Sequence, residues 1–419
     1  MGWRAALISV FMLLPGLVAV QPARAQSPAA VLEQHLASGA TARADAALAA
    51  VLARSPEDAD AAFALGVARF AGAVERFGQG LYRYGLRPPR SMMLPILSFP
   101  IPANPAPEKI TYEAFRALLA GFVRDLDTAE QALARVGERP VKLRLDLSKV
   151  RVDINGDGAA GEDELLASLL AGAPRGPRTQ PAPAITPFAV AFDTADAFWM
   201  RGYCNLMAIF AEFFLAHDFR ETFEGTFHLF FPAADLPFQR MIGEGRQREI
   251  RPGDFVSEGG TIADAVALLH LMRWPLAEPE RMQAVHRRLK AVVGLNRQTW
   301  TAARAETDDD HEWLPNPKQK GVLNGLPVSE EMITGWLGML DQLEAMLEGK
   351  LLVPHWRFQK GFNLRRFLLE PRPFDFVLMI TGHGALPYLE DGPTASREDW
   401  QRMASVFRGN FLGYAFYFN

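Results

Sequence analysis

A mostly α-helical fold in two lobes is predicted by three features of the sequence. Apolar residues recur at helical spacing over most of the chain. Thirty prolines and thirty-four glycines supply many breaks between helices. Strand-like alternation is confined to short stretches, chiefly Val141 to Leu147. With 419 residues and 49% hydrophobic content, the chain can bury a sizeable core and is too apolar to be disordered. A net charge of −4 excludes a basic nucleic-acid binder as the default reading. The single cysteine, Cys204, excludes an intramolecular disulfide and a zinc site built on several thiolates.

Residues 1–25 read as a secretory signal peptide. Arg4 gives the positive start, Ala5 to Val20 the apolar stretch, and Ala23-Arg24-Ala25 a small-residue cleavage site that leaves Gln26 first. Export, to the periplasm or the medium, is the expectation. The stretch from Ala197 to Ala216 is long enough to span a bilayer, but Arg201, Asn205 and Glu212 are expensive in hydrocarbon. It reads as a buried helix, so no transmembrane span is expected after cleavage.

Residues 26–140 form the expected N-terminal helical lobe. Ser55-Pro56-Glu57-Asp58 separates two alanine-rich helices, with proline and acids suited to a helix start. Ala44, Pro56, Leu65-Gly66 and Phe70 fall near the small, proline and Leu-Gly positions of a tetratricopeptide repeat; Gly78 and Gly85 depart from that pattern. An ordinary alanine-rich hairpin fits these residues equally well. Residues 86–109 contain seven prolines and cannot be helical, yet their apolar residues suit a packed strap more than a free linker. Thr111 should cap a helix reaching Val136, with Phe115, Leu119, Phe122 and Leu126 on its buried face.

The region 141–170 carries the clearest chemistry. Asp153-Ile-Asn155-Gly-Asp157-Gly158, followed by Glu164, matches the calcium loop D-x-[DN]-x-[DN]-G-x5-E. A hard cation takes six to eight oxygens, and a tightly wound loop offers one at every second residue. Asp153, Asn155 and Asp157 would supply positions one, three and five, Ala159 its backbone carbonyl, and Glu164 a bidentate carboxylate from a helix over 162–170. Ca2+ is therefore the expected cofactor. Ala160 stands where paired loops carry a branched aliphatic residue, and the segment before the loop reads as extended, so the loop is expected to be solitary.

Residues 171–187 read as a linker into a larger lobe over 188–419. Helices are expected at about 187–217, 219–231, 260–273, 278–306, 329–348 and 395–409, with a strand over Phe374 to Ile380. His217, Glu221, Glu224 and His228 share one helical face but read as the wet side of an amphipathic helix. Glu306 and Asp308 to Glu312 crowd five acids and a histidine. The default reading is a solvated acidic loop; a divalent site is the alternative. His383, in a Gly-rich turn after the expected strand, could act as a base, but no G-x-S-x-G, Walker, G-x-G-x-x-G or C-x-x-C-H motif accompanies it.

The leader, the partial tetratricopeptide-like hairpin and the Asp153 to Glu164 loop together resemble uncharacterised exported bacterial proteins that carry a single EF-hand-like loop. The resemblance implies calcium binding and an envelope or extracellular home, and no reaction. Two functions follow as expectations: a calcium-stabilised binding or scaffold protein whose partner is a protein or envelope component, or a metal-assisted hydrolase using the acidic segment 306–312.

Overall fold

The computed structural model describes residues 26–88, 97, 99–166, 168, 189–241, 255–323, 326–407, 409 and 411–419. The expected leader 1–25 and the linker 171–187 lie outside them, as do residues 89–96 of the strap.

The architecture is mostly α. Ser27 caps α1 (Pro28–Leu36), whose first-turn proline gives up no needed donor. Gly39, at φ 66°, turns the chain into α2 (Thr41–Arg54). Asp58 then accepts the Ala61 amide at 2.8 Å and starts α3 (Ala59–Arg83), so the Ser55 to Asp58 break falls where the sequence puts it. Thr111 caps α4 (Tyr112–Ala134) in the same manner, at 3.1 Å from the Ala114 amide. Between these helices the strap lies on α3. Leu86, Leu97 and Ile101 are buried, Phe99 meets Phe77 edge-on at 5.5 Å, and Asn104 donates to the Tyr82 carbonyl at 2.9 Å.

β1 (Lys142–Asp146) pairs antiparallel with β2 (Ala189–Asp193), in a register that sets Lys142 opposite Asp193. The helix expected from residue 187 starts only at Thr194: α5 (Thr194–Ala216) is preceded by this strand. Asp193 and Asp196 form a reciprocal capping box at the junction, which stops the helix from extending backward.

α5 lies against α4 and against α9 (Glu280–Ala305). The polar residues in its middle meet partners. Arg201 pairs with Glu130, Asn205 donates to the Arg201 carbonyl, and Glu212 accepts from Arg281 at 2.7 Å and Arg288 at 3.2 Å. No helix among the described residues is long and apolar enough to cross a membrane. At the C-terminus of α5, Arg116 donates to the carbonyls of Leu215 (2.9 Å) and His217 (2.8 Å), satisfying acceptors the helix leaves open.

The continuous helix expected over 219–231 is broken. His217 ends α5, α6 covers Arg220–Thr226, and a 3-10 turn takes Phe227–Leu229. His217 is buried, with Nδ1 against the Phe213 carbonyl at 2.8 Å, so it shares no wet face with Glu221, Glu224 and His228. The reason is aromatic packing: Phe219, Phe223, Phe227 and Phe231 all turn toward Phe115 of α4, with ring centroids 5.3 to 6.1 Å away.

Short helix α7 (Pro237–Met241) and α8 (Phe255–Leu271) precede β3 (Arg273–Trp274). α10 (Glu330–Leu347), capped by Ser329, follows α9. The remainder alternates β4 (Gly361–Phe362), α11 (Leu364–Leu369), β5 (Phe374–Asp375), α12 (Phe376–Thr381), β6 (Leu389–Glu390), α13 (Arg397–Ser405) and α14 (Phe411–Phe418). β3 pairs with β5 and β4 with β6. The strand expected over Phe374 to Ile380 is thus two residues long. Asp375 accepts the Leu378 amide at 2.8 Å and caps a helix instead, which Gly382 ends at φ 94°. His383 consequently follows a helix, not a strand.

Candidate functional site

The 153–164 loop is wound by its own amides. Asp153 accepts from Gly156 (2.7 Å) and Gly158 (3.0 Å), Asn155 from Asp157 (2.8 Å), and Asp157 from Ala159 (2.8 Å). Glu164 takes the amides of Ile154, Asn155 and Gly161 at 2.9 to 3.0 Å. Gly156 and Gly158 hold left-handed backbone at φ 73° and 83°, which side-chain-bearing residues adopt at a cost. Asp153 and Glu164, at opposite ends of the loop, are both buried, Glu164 to 2% exposure.

A carboxylate oxygen has two acceptor sites, so the oxygens of Asp153 and Asp157 and Glu164 Oε2, which receive one amide each, keep capacity for a cation, whereas Glu164 Oε1 already takes two amides. The donor set, three carboxylates with one amide and one backbone carbonyl, is all oxygen and suits a hard ion such as Ca2+.

The flanks of the loop zip together. Val152 N donates to Glu164 O at 3.0 Å, Leu166 N to Val150 O at 2.8 Å, and Arg151 bridges Leu165. The approach to the loop is therefore extended, as the sequence suggests. Beyond it, residues 162–165 form a turn and bridge, and the expected helix is seen only from Leu166, because Glu164 and Leu165 are committed to this pairing. Residues 167, 169 and 170 of that expected helix lie outside the described residues.

The N-terminal helices grip the loop. Glu75 of α3 accepts the Asp153 amide at 3.2 Å while receiving the Thr41 hydroxyl at 2.6 Å, and Gln79 donates to the Asp153 carbonyl at 2.7 Å. Burial, the largest influence on Glu75, pushes its carboxyl above the usual range. Two glycines make room. A β-carbon at Gly78 would lie 2.7 Å from Ile154 Cδ1, and one at Gly39 would lie 2.4 Å from Ala160 Cβ. Ala160 therefore meets the α1–α2 turn, where a branched side chain would collide; this accounts for its departure from the paired-loop pattern. Beside the loop, an open polar cavity of about 480 Å³ is lined by Arg76, Gln79, Arg83, Asn104, Asn155 and Gly156.

A second acidic assembly lies where β1, β2 and the 306–312 segment meet. The segment is only partly the solvated loop the sequence suggests. Its outer acids are neutralised: Lys142 bonds Asp308 and lies 3.7 Å from Asp310, which also bonds Arg144. Its inner acids turn inward. Glu312 is 1% exposed and Glu306 is half-buried. One carboxylate oxygen each from Asp193, Glu306 and Glu312 lies within 4.8 Å of the others. No other group of three or more Asp, Glu, His or Cys side chains converges in this way among the described residues. His311, at φ 61°, bends the backbone so that its carbonyl receives the Ala191 amide at 3.1 Å and Glu312 faces β2. Burial, then the adjoining Asp193, raises Glu306 to about 10. Burial raises Glu312 as well, and burial with Asp193 raises Asp196 well above its ordinary value.

Asp193 was invisible as a site residue in the sequence, although Asp193-Thr-Ala-Asp196 is a legible capping pattern. Glu75 and Gln79 left no signal beyond being polar inside an apolar helix. The remaining candidates are unremarkable: His383 is exposed, and Arg366 pairs with Glu370 (3.1 Å) and Glu390 (2.8 Å) as surface salt bridges.

No family model matches the chain, and neither a curated protein nor a solved structure matches it.

Proposed function

We propose that this chain is an exported, calcium-binding protein of the cell envelope, a non-enzymatic binding or scaffold protein in which Ca2+ on the 153–164 loop acts as a structural staple. The observation that carries the reading is the attachment of the loop's first ligand: the peptide of Asp153 is held on both sides by α3, through Glu75 and Gln79. An ion drawing Asp153, Asn155, Asp157, the Ala159 carbonyl and Glu164 together would tie the loop's two strands to the N-terminal helices. Without it, the acids of the loop, with Glu162 and Asp163 beside them, repel one another. The polar cavity between α3, the strap and the loop offers a surface whose shape would follow loading of the ion.

Equilibrium dialysis and calorimetry of the mature chain test this. Solitary extracellular loops bind near about 10⁻⁴ to 10⁻³ M. An ion bound only by the folded state stabilises by RT ln(1 + [L]/Kd), about 2.7 kcal/mol at a hundredfold excess. Ca2+ should raise the thermal midpoint, Glu164→Gln should abolish that rise, and chelator should open a protease site between residues 150 and 185. Absence of calcium-dependent heat, together with an unchanged midpoint in Asp153→Ala, would end the reading. An N-terminus at Gln26 in the exported protein checks the leader. Capture of a partner from an envelope extract, set against a hydrolase panel, separates scaffold from enzyme.

A further inference from the structure

We propose that Asp193, Glu306 and Glu312 form a second centre for a hard divalent cation, separate from the 153–164 loop and assembled only by the tertiary fold. The argument begins with span. Ligand oxygens bind such an ion at about 2.3–2.6 Å, so two lying across it are about 5 Å apart. Three oxygens within 4.8 Å of one another have a spacing that ligands of one such ion can take. They come from three places: the end of β2, the residue that closes α9, and the loop beyond it.

The independent observation is Asp196. It is 2% exposed, its Oδ2 receives the Asp193 amide at 2.9 Å, and its Oδ1 is buried with no hydrogen-bond partner. The same carboxyl is tied to Asp193 through that amide, so the orphaned oxygen lies beside one member of the triad. A buried carboxylate oxygen without a partner is costly, and three further acids beside it add repulsion. The nearby cation, Lys142, is already committed to Asp308 and Asp310. A divalent ion compensates the three inner acids and gives Asp196 Oδ1 a partner, directly or through a bound water. All-carboxylate chemistry selects Ca2+, Mg2+ or Mn2+ over thiolate- or imidazole-seeking metals.

The test uses the metal-stripped mature chain, titrated separately with Ca2+, Mg2+ and Mn2+, the last also followed by electron paramagnetic resonance. Wild type should bind one equivalent that survives Glu164→Gln and is lost, by about tenfold or more in affinity, in Glu306→Gln and in Glu312→Gln. The amide keeps shape and removes one repelling charge, so metal-free Glu306→Gln should melt no lower than metal-free wild type. If the 153–164 loop binds nothing, one equivalent sensitive to Glu306→Gln but not to Glu164→Gln still upholds this centre. Binding insensitive to both Glu306→Gln and Glu312→Gln overturns it. So does the failure of Ca2+, Mg2+ and Mn2+ alike to bind.

Discussion

The contact between Gly78 and Ile154 links α3 to the 153–164 loop and can be measured by a double-mutant cycle. In Gly78→Ala the new β-carbon would meet Ile154 Cδ1 at 2.7 Å, well inside the ~3.5–4.0 Å of normal carbon contact. Its next neighbours are Ile101 Cδ1 at 3.7 Å and Ile154 Cγ1 at 4.0 Å, both acceptable. One methyl group is therefore in the way. Overpacking costs about 1–3 kcal/mol, and alanine in a helix interior offsets about 1 kcal/mol of this. Ile154→Val removes that methyl and alone costs about 0.5–1.5 kcal/mol. In the double variant the new β-carbon fills the vacated space, so stability should return to near wild type, with a favourable coupling of about 1–3 kcal/mol. Urea unfolding at fixed, saturating Ca2+ measures it. Because Ile154 sits between the proposed ligands Asp153 and Asn155, Gly78→Ala should also weaken the proposed Ca2+ binding, about fivefold for each 1 kcal/mol of strain left in the loop, and the double variant should restore it. Energies that add to within about 0.3 kcal/mol would show that the two residues do not compete for this space.

Three further outcomes are expected. Glu212→Ala should destabilise by about 3 kcal/mol in urea unfolding, at the lower end for a broken buried ion pair, because Arg281 keeps Glu278 and Arg288 keeps Asp127; a loss below about 1 kcal/mol would contradict the burial of this carboxylate. His217 is held neutral: burial lowers its pKa below the ordinary 6.5, so the unfolded chain protonates first as pH falls. Its contribution to stability is complete above that value and is lost on acidification, so the midpoint of wild type should fall more than that of His217→Gln between about pH 7.5 and about pH 5.5. Cys204 is buried and its thiol is pushed strongly upward by that burial, so a thiol reagent should react only after denaturation; fast labelling of the native protein would contradict the packing of α5.

Much of the frame was legible because it depends on local chemistry. Asp58 and Thr111 announced the starts of α3 and α4 through side-chain oxygens that serve amides three residues on, a relation contained within one turn. The winding of the 153–164 loop was equally readable, since its amide bonds run within a dozen residues and the spacing of Asp153, Asn155, Asp157 and Glu164 follows from that winding. Alternation exposed β1, whereas β2 was hidden in an apolar run that suits a helix as well as a strand. The break at Phe227 and the shortened strand at Phe374 were decided elsewhere, by the rings gathered around Phe115 and by Asp375 acting as a cap.

By itself, the sequence determined the helical class, the caps, the winding of the 153–164 loop and the burial of α5 despite its length. Tertiary structure alone decided that Gly39 and Gly78 seat the loop, that Glu75 and Gln79 hold the Asp153 peptide, and that Asp193 meets Glu306 and Glu312 across more than a hundred residues. Helix periodicity and loop spacing are properties of neighbours in the chain. The convergence of charges from distant segments depends on how α5, α9 and the β1–β2 pair come to rest against one another, and no local pattern encodes that.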